Sequence, residues 1–219
     1  MAERLAIFGG TFDPIHLAHL RAAQEVAEQL DFSGVVFMPS AEPPHHKTVG
    51  AGAQDRLAMV RLAVESNPLF RASDLEARRG GPSYTLHTLN EIKAAHPEAD
   101  LYFLIGADAF FHVHTWHKPM EVFRLADFVI MDRPGTPRGD ILDYLRRNLD
   151  PGFAPAKGGW VRGPYGHGAM RLQTRLLDIS SSDIKRRVAA GLSIAYLVPP
   201  AVADYIRDMK LYRTPGAQR

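Results

Sequence analysis

The opening segment of the chain most constrains its fold, because it predicts a strand, a glycine turn and a helix in immediate succession. Leu5 to Phe8 is a short apolar run that ends at Gly9-Gly10, which is typical of a buried strand followed by a tight turn. From Leu17 to Leu30, alanines and leucines recur at helical spacing. A second apolar run, Val35 to Met38, stops at Pro39. Together they predict a βαβ unit, which in a parallel sheet is almost always a right-handed crossover.

Strand-like and helix-like patterns keep alternating beyond this unit. The patterns predict strands at Leu101 to Ile105 and Phe128 to Met131, and helices at Gln54 to Val64 and Ser83 to Ala95, the last with a hydroxyl N-cap. Two more helices are predicted near the C-terminus, one capped by Ser180 to Asp183 and ending near Gly191, and one from Pro199-Pro200 through Met209. This order predicts an α/β fold with a doubly wound, Rossmann-like parallel sheet, helices on both faces and a C-terminal helical segment.

The length of the chain, 219 residues, favours one domain with one good-sized core. Between Pro151 and Gly168, prolines and glycines interrupt every regular pattern. We interpret residues 134–178 as a loop-rich excursion from the sheet, in which regular structure resumes at Leu172 to Leu177. There is no internal repeat or low-complexity tract, so residues 1–219 are predicted to form a single domain.

The composition is that of an ordinary globular protein, with 46% hydrophobic and 23% charged residues. No apolar run approaches a membrane span and the first residues lack a signal-peptide pattern, so we expect a cytoplasmic protein without a membrane partner. The absence of cysteine excludes disulfides, thiolate metal sites and thiol nucleophiles. A formal charge of +2 is too small to indicate a nucleic-acid partner. The sequence leaves assembly into a homo-oligomer open.

The turn between the first strand and the first helix, residues 9–19, carries the most informative chemistry. Gly9 and Gly10 let backbone N–H groups come close to a ligand, and the positive end of the helix points at the same place. His16 and His19 are three residues apart, so both rings can lie on one face and donate to one phosphoryl group. Neither a Walker motif nor G-x-G-x-x-G follows the first strand. The turn predicts a phosphate site of another kind, and a tight turn with two surface histidines is the alternative.

A second anion site is predicted at Ser180 to Arg186. Hydroxyl groups cap a helix N-terminus there, and Lys185 projects from the first turn of that helix. Placed next to the glycine turn, this segment would supply positive charge for the distal phosphates of a nucleoside triphosphate. The alternative is ordinary helix capping, with Lys185, Arg186 and Arg187 in solvent.

Both segments resemble signatures of the nucleotidyltransferase superfamily that is marked by a T-x-F-D-x-x-H-x-x-H motif. The matching residues are Gly9-Gly10-Thr11-Phe12-Asp13-Pro14, His16 and His19, and then Ile179-Ser180-Ser181-Ser182, Ile184 and Lys185. Further segments resemble the bacterial nicotinate-mononucleotide adenylyltransferase family, namely Pro39-Ser40, Pro43-Pro44-His45, Ser83-Tyr84-Thr85, Thr88-Leu89, Leu104-Ile105-Gly106, Asp108 and Trp116. The resemblance extends to Tyr205-Ile206 and Leu211-Tyr212 and covers nearly the whole chain except residues 134–178.

This resemblance implies transfer of AMP from ATP to nicotinate mononucleotide, which gives deamido-NAD and pyrophosphate in NAD biosynthesis. Both substrates are small molecules, Mg²⁺ accompanies ATP, and we assign no metal-ligating side chain. By the family pattern, the catalytic residues are His16, His19 and Lys185, and the ATP-binding residues are Gly9, Gly10, Thr11, Phe12, His16, His19, Gly106, Asp108, Ser180, Ser182, Lys185 and Arg186. The mononucleotide-binding residues are His45, His46, Lys47, Tyr84, Thr85, Asp108, Trp116 and Arg133.

The chain departs from the family pattern in three places. Ala18 stands where the usual H-x-G-H has glycine, and it adds a methyl group near the expected ligand. Lys185 stands where the second signature usually has arginine, so the bidentate fork of a guanidinium is absent there. After Pro-Pro-His, His46 and Lys47 are alternative bases for the mononucleotide phosphate.

Other functions fit parts of the sequence. The serine-rich segment that ends in lysine also resembles pantetheine-phosphate adenylyltransferase, whose chains are generally shorter and lack the Ser-Tyr-Thr and tryptophan features. A histidine-based metal-binding protein is suggested by His112, His114 and His117 and by the adjoining His45 and His46. Carboxylate or thiolate partners at diagnostic spacing are missing from that second alternative.

Overall fold

The computed structural model describes residues 3–42, 49–132, 139–175 and 177–213. Its strands are β1 (Arg4–Gly10), β2 (Gly34–Pro39), β3 (Phe70–Ala72), β4 (Asp100–Gly106), β5 (Asp127–Met131), β6 (Ala154–Pro155), β7 (Trp160–Arg162) and β8 (Gly168–Leu172). They form one sheet in the order β3-β2-β1-β4-β5-β8-β7-β6. All neighbours from β3 to β8 run parallel, while β6 and β7 are antiparallel additions.

The helices connect and cover these strands. They are α1 (Leu17–Leu30), α2 (Ala53–Val64), α3 (Leu75–Arg79), α4 (Thr85–Ala95), α5 (Ala107–Phe110), α6 (Pro119–Val122), α7 (Ile141–Asn148), α8 (Ser181–Ala189) and α9 (Pro200–Asp208). The predicted α/β class with a doubly wound, Rossmann-like sheet is confirmed. Of the described helices, none is long and apolar enough to cross a membrane.

Alternating side chains of the strands build a core on each face of the sheet. On β1, Ala6 and Phe8 join a cluster that includes buried residues of α1, α2, α8 and α9. Leu5 and Ile7 point the other way and join a cluster with buried residues of α4, α5, α6 and α7. Because both faces are covered by helices, the parallel strands read as continuous apolar runs, which is why they could be recognised from sequence.

Residues 139–175 differ from the predicted excursion. The structure has a helix at Ile141–Asn148 and three short strands that extend the sheet, with β8 paired to β5. The loop-like interpretation of Pro151 to Gly168, and with it the excursion at residues 134–178, is therefore wrong for the described part. The prediction of regular structure at Leu172 to Leu177 is also wrong, because β8 ends at Leu172.

Gly168 shows why the glycines were misleading. A Cβ atom on this residue would overlap the carbonyl group of Val161 in the neighbouring strand. Glycine is thus what lets β7 and β8 approach, rather than a residue that interrupts them. Because the pairing of β7 and β8 depends on this close backbone approach, neither strand was recognised from a periodic apolar pattern.

Of the two predicted hydroxyl N-caps, the structure has the one on α8 but not the one on α4. Ser180 is the N-cap of α8, and its hydroxyl accepts a hydrogen bond from the backbone N–H of Asp183 at 3.1 Å, as predicted. Ser83 does not cap α4, whose N-cap is Tyr84. The Ser83 hydroxyl instead accepts from the backbone N–H of Ala41 at 2.9 Å, which ties the start of α4 to the loop after β2.

The parallel strands end together at one edge of the sheet. Gly10 of β1 is in register with Pro39 of β2, and Gly106 of β4 is in register with Met131 of β5. The loops that follow these strands therefore lie side by side at the carboxyl edge, which is where α/β sheets bind ligands.

We predict that Gly168→Ala lowers the free energy of unfolding by about 2 kcal/mol or more, because the new Cβ forces β7 and β8 apart. Urea unfolding measures this change. Gly34→Ala is the matched control, since a Cβ there lies 3.6 Å from the carbonyl oxygen of Leu69, an ordinary contact. Its effect should stay within about 1 kcal/mol. Equal losses in the two variants would contradict the role given to Gly168.

Candidate active site

The glycine turn after β1 is closed by aromatic rings. A Cβ on Gly9 would lie 2.9 Å from Cζ of Phe103, and a Cβ on Gly10 would lie 3.1 Å from Cζ of Phe12. Phe12 has a φ of 47°, in the left-handed region, and its ring is buried. Phe12 is one of the predicted ATP-binding residues in this turn. Because its ring is buried, its contact to a ligand would be made by the backbone.

His16 and His19 lie together at the start of α1. His16 is the N-cap residue, and the two imidazoles are stacked with their centroids 3.6 Å apart. The backbone N–H of His16 donates to Nδ1 of His19 at 3.3 Å. Because Nδ1 accepts, the neutral ring of His19 carries its proton on Nε2, which is then a donor. The structure brings together the two histidines that the spacing paired.

The N-terminus of α8 packs directly against this turn. The hydroxyl of Ser181 donates to the carbonyl oxygen of Pro14 at 2.9 Å. Nζ of Lys185 lies 2.7 Å from Oδ2 of Asp13. The two segments that the sequence singled out, 167 and 172 residues apart at these contacts, therefore form one site.

The other predicted residues of α8 have local contacts. Ser180 accepts from the backbone of Asp183, and Ser182 is exposed. Arg186 pairs with Asp183 of its own helix, and its side chain is 80% exposed. The alternative of ordinary helix capping thus describes the contacts of Ser180 and Arg186, whereas Lys185 reaches the glycine turn.

Asp13 is the centre of this junction. Its carboxylate is buried and accepts four hydrogen bonds: from Nζ of Lys185 at 2.7 Å, the N–H of Gly50 at 2.8 Å, the N–H of Ala51 at 3.0 Å and the hydroxyl of Tyr212 at 2.8 Å. Burial by itself raises the pKa of Asp13, but the hydrogen bonds outweigh it and hold the pKa below its ordinary value of 3.8. Asp13 is therefore ionised at neutral pH.

Arg56 of α2 braces the neighbouring loops from inside. Its side chain is 1% exposed and donates to four carbonyl oxygens, those of Thr11, Ser40, Ala41 and Ala51, at 2.6 to 3.2 Å. Burial lowers the pKa of this guanidinium, but arginine stays protonated in proteins. The loops after β1 and β2 are thus held together around a buried positive charge.

Gly106 and Asp108 follow β4 at the same edge. Gly106 ends the strand and is the N-cap of the short helix α5. Asp108 lies in the first turn of α5 and is exposed. Their position agrees with contact to a nucleotide held at the carboxyl edge.

The residues predicted for the pyridine ring lie around the N-terminus of α4. Tyr84 is the N-cap and Thr85 the first helical residue, and both are half-buried. Trp116 is half-buried too and packs edge-on against Phe103 at 5.8 Å. The ring of His117 lies 4.9 Å from that of Tyr84, a neighbour that the sequence did not link to this group.

Four predicted mononucleotide contacts, His45, His46, Lys47 and Arg133, lie outside the described residues. Among the described residues, no three histidine, aspartate or glutamate side chains are grouped so that they could hold a metal ion. His114 instead pairs its Nδ1 with the hydroxyl of Tyr144 at 2.8 Å.

Sequence reasoning missed the roles of Asp13, Arg56 and Tyr212. A signal existed for two of them. Arg56 lies on the same helical stripe as the buried Val60 and Ala63, so a charge stands where the pattern calls for an apolar residue. A carboxylate such as Asp13 in a phosphate-binding turn repels the ligand unless a cation or other donors offset it.

The doubly wound sheet with its loops joined at the carboxyl edge defines the class of α/β nucleotide-binding folds. Within that class the chain belongs to the cytidylyltransferase-like family, whose model matches residues 7–187. That span includes the glycine turn, α4 and most of α8, up to Arg187.

Curated relatives resemble the chain over almost its full length. A protein of Citrifermentans bemidjiense, described as a probable nicotinate-nucleotide adenylyltransferase, is 44% identical and the match covers 95% of this chain and 98% of the relative. A protein of Geotalea daltonii with the same description is 40% identical over the same shares. Among solved structures, the Plasmodium falciparum nicotinic acid mononucleotide adenylyltransferase complexed with NaAD has a TM-score of 0.73 at 19% identity, covering 96% of this chain and 97% of that one. The last similarity concerns the fold.

We predict that Asp13→Asn lowers the free energy of unfolding by about 2 kcal/mol at pH 7, since hydrogen bonds to a charged group contribute about 1.5–3 kcal/mol each and Lys185 is partly exposed. Folding lowers the pKa of Asp13. The ionised carboxylate therefore adds to the free energy of unfolding of the wild type above pH 3.8, and this contribution is lost as the pH falls through the lower pKa of the folded state. Urea unfolding at a series of pH values measures it. Asp204→Asn, which breaks an exposed pair with Arg207, is the control and should change little. A loss in Asp13→Asn that persists unchanged in acid would contradict this assignment.

Proposed function

We propose that this protein transfers AMP from ATP to nicotinate mononucleotide, giving deamido-NAD and pyrophosphate. The curated relatives that share 40–44% identity with nearly the whole chain carry the name of this activity. One observation of geometry carries the proposal: the glycine turn with His16 and His19 is joined to α8 through Ser181 and Lys185. That junction places two helix N-termini, two imidazoles and one ammonium group at a single edge, which suits a triphosphate.

The chemistry needs alignment more than proton transfer. An oxygen of the acceptor's phosphate attacks the α-phosphorus of ATP, a new P–O bond forms, and the bond to the bridging oxygen breaks, so that pyrophosphate leaves with the electron pair. The acceptor is an anion at neutral pH, so no general base is required. Catalysis then consists of holding the two phosphates in line and stabilising the charge on the leaving group.

His16, His19 and Lys185 are assigned to the charge of the transition state. Nε2 of His19 is a donor because its Nδ1 accepts from the backbone of His16, and the two stacked imidazoles would donate to one phosphoryl group. The ammonium of Lys185, with the hydroxyls of Ser180 and Ser182, would take the outgoing pyrophosphate. Fixed donors of this kind need no reorganisation during the reaction.

The remaining predicted contacts divide between the two substrates. The backbones of Gly9 to Phe12 and the Gly106–Asp108 turn are assigned to ATP, and Tyr84, Thr85 and Trp116 to the nicotinate ring. Backbone N–H groups at the N-terminus of α4 would attract the nicotinate carboxylate, which would select the acid over the amide. The assignments of His45, His46, Lys47 and Arg133 to the mononucleotide phosphate, and of Arg186 to ATP, remain proposals from the family pattern.

We further propose that Mg²⁺ enters as a complex with ATP. Mg²⁺ keeps several waters and is usually bound through substrate phosphates and one or two carboxylates. Asp13 does not suit that role, because its oxygens already accept four hydrogen bonds. The ion would therefore be held by ATP phosphates and water, where it neutralises part of the triphosphate charge.

We propose that residues 1–219 act as a single cytoplasmic domain. Asp13 lies in the turn after β1, and the contacts to its carboxylate come from the residues just before α2, from α8 and from Tyr212 near the C-terminus. Residues from both ends of the chain thus build the same site, and no part of it can be assigned to a separate unit.

The acceptor is tested by measuring pyrophosphate release from ATP and Mg²⁺ with each of three acceptors. Nicotinate mononucleotide is expected to react fastest, nicotinamide mononucleotide more slowly because it lacks the carboxylate, and phosphopantetheine not detectably. Release with phosphopantetheine alone would overturn the acceptor and favour the pantetheine-phosphate enzyme.

We predict that His19→Ala lowers kcat by at least about a hundredfold, as loss of a donor to developing charge does elsewhere. Lys185→Ala should lower it less, by about tenfold, because the hydroxyls of α8 and the helix N-terminus remain. His96→Ala is the control: this exposed ring pairs with Glu3 at the opposite edge of the sheet, so activity should match wild type. Steady-state kinetics with nicotinate mononucleotide decides, and equal activity in His19→Ala and wild type would contradict the assignment.

A further inference from the structure

We propose that Tyr212 is a positioning residue for adenylyl transfer, which acts through Asp13 to hold the ammonium of Lys185 at the phosphate site. The inference rests on the proposed function, because Lys185 is there the group that receives the pyrophosphate. Tyr212 lies beyond α9 and is 199 positions from Asp13 in the sequence. Its role would make the end of the chain part of the catalytic apparatus.

The contacts form a continuous path from Tyr212 to Lys185. The Tyr212 hydroxyl donates to Oδ1 of Asp13 at 2.8 Å, and Nζ of Lys185 donates to Oδ2 of the same carboxylate at 2.7 Å. Each oxygen receives a second bond from the backbone, Oδ1 from Ala51 and Oδ2 from Gly50. With all four donors present, the carboxylate has one orientation, and so has the lysine that it binds.

Gly50 lets the two side chains pass over the backbone. A Cβ on this residue would lie 3.0 Å from the ring of Tyr212 and 3.2 Å from Cδ of Lys185. Both side chains therefore pack against the same glycine, side by side. Tyr212 is thus connected to Lys185 in two ways, through packing on Gly50 and through the hydrogen bond of its hydroxyl to Asp13.

The segment after α9 adopts an unusual backbone to bring Tyr212 to this place. Lys210 and Tyr212 both have φ in the left-handed region, at 54° and 61°. The N–H of Leu211 donates to the carbonyl of Ile206 at 3.0 Å, and its side chain packs against the first core cluster. This conformation is unfavourable for non-glycine residues, so the surrounding contacts must favour it.

The physical benefit is a lysine whose charge is both fixed and available. A free lysine side chain samples many rotamers, and binding of the substrate would otherwise have to restrict it to one of them. The charge of Asp13 is shared among four donors, so it opposes the attraction between Lys185 and a phosphate less than an isolated carboxylate would. Burial and the charge of Asp13 raise the pKa of Tyr212, so its hydroxyl stays a donor at neutral pH.

Tyr212→Phe tests this inference, with Tyr205→Phe as the matched control. Tyr205 lies on α9, and its hydroxyl donates at 3.0 Å to Asp55 of α2 rather than to Asp13. Both variants remove one phenol–carboxylate hydrogen bond from the C-terminal region. We expect Tyr212→Phe to lower kcat/KM for ATP by about tenfold and to leave the KM for nicotinate mononucleotide unchanged, while Tyr205→Phe stays within about twofold of wild type.

A double-mutant cycle separates positioning from general destabilisation. If Tyr212 acts through Lys185, Tyr212→Phe adds no further loss of kcat/KM to Lys185→Ala, so the two effects are strongly non-additive. Thermal unfolding of each variant shows that it is folded at the assay temperature. Equal kinetics of Tyr212→Phe and Tyr205→Phe, or additive losses in the double variant, would overturn the inference. An inactive wild-type protein would instead overturn the proposed function.

Discussion

The arrangement of the site depends on the hydrogen bonds that the buried carboxylate of Asp13 accepts. A charge removed from water is strongly unfavourable unless it is paired and hydrogen-bonded. Here the four donors come from three parts of the chain: the residues before α2, which provide two, α8 and the segment after α9. Because the carboxylate requires its donors, these parts have to meet the turn after β1 in one geometry.

Arg56 is a second buried charge that holds the same turn, as a hydrogen-bond donor. Four carbonyl oxygens from the loops after β1 and β2 and from the start of α2 surround its guanidinium. Asp13 thus accepts four hydrogen bonds and Arg56 donates to four carbonyl oxygens, and both residues are almost completely buried. Between them, the loops at the carboxyl edge are fixed before a substrate arrives, which is the condition for electrostatic catalysis without reorganisation.

Local sequence patterns predicted most of the helices and strands that line the site. The features that they did not predict depend on contacts between residues far apart in the sequence. The β1 strand, the turn and α1 could be read from Leu5 to Leu30 because apolar periodicity and glycines are contiguous there. The strands after α7 could not, since β8 exists through its pairing with β5, and its glycine reads as a breaker. Tyr212 could not be linked to Asp13, because no spacing rule connects residues 199 positions apart. Arg56 was predicted to be helical, but its burial depends on loops that meet only in the folded chain.

From the two joined segments at the carboxyl edge we infer adenylyl transfer, rather than hydrolysis or another use of ATP. The most direct measurement follows the phosphorus atoms of ATP during turnover with nicotinate mononucleotide. Label in the α-phosphate should appear entirely in the dinucleotide product, and label in the γ-phosphate entirely in pyrophosphate. Release of γ-label as orthophosphate, or the absence of α-label from the dinucleotide, would contradict the bond cleavage that this site is proposed to catalyse.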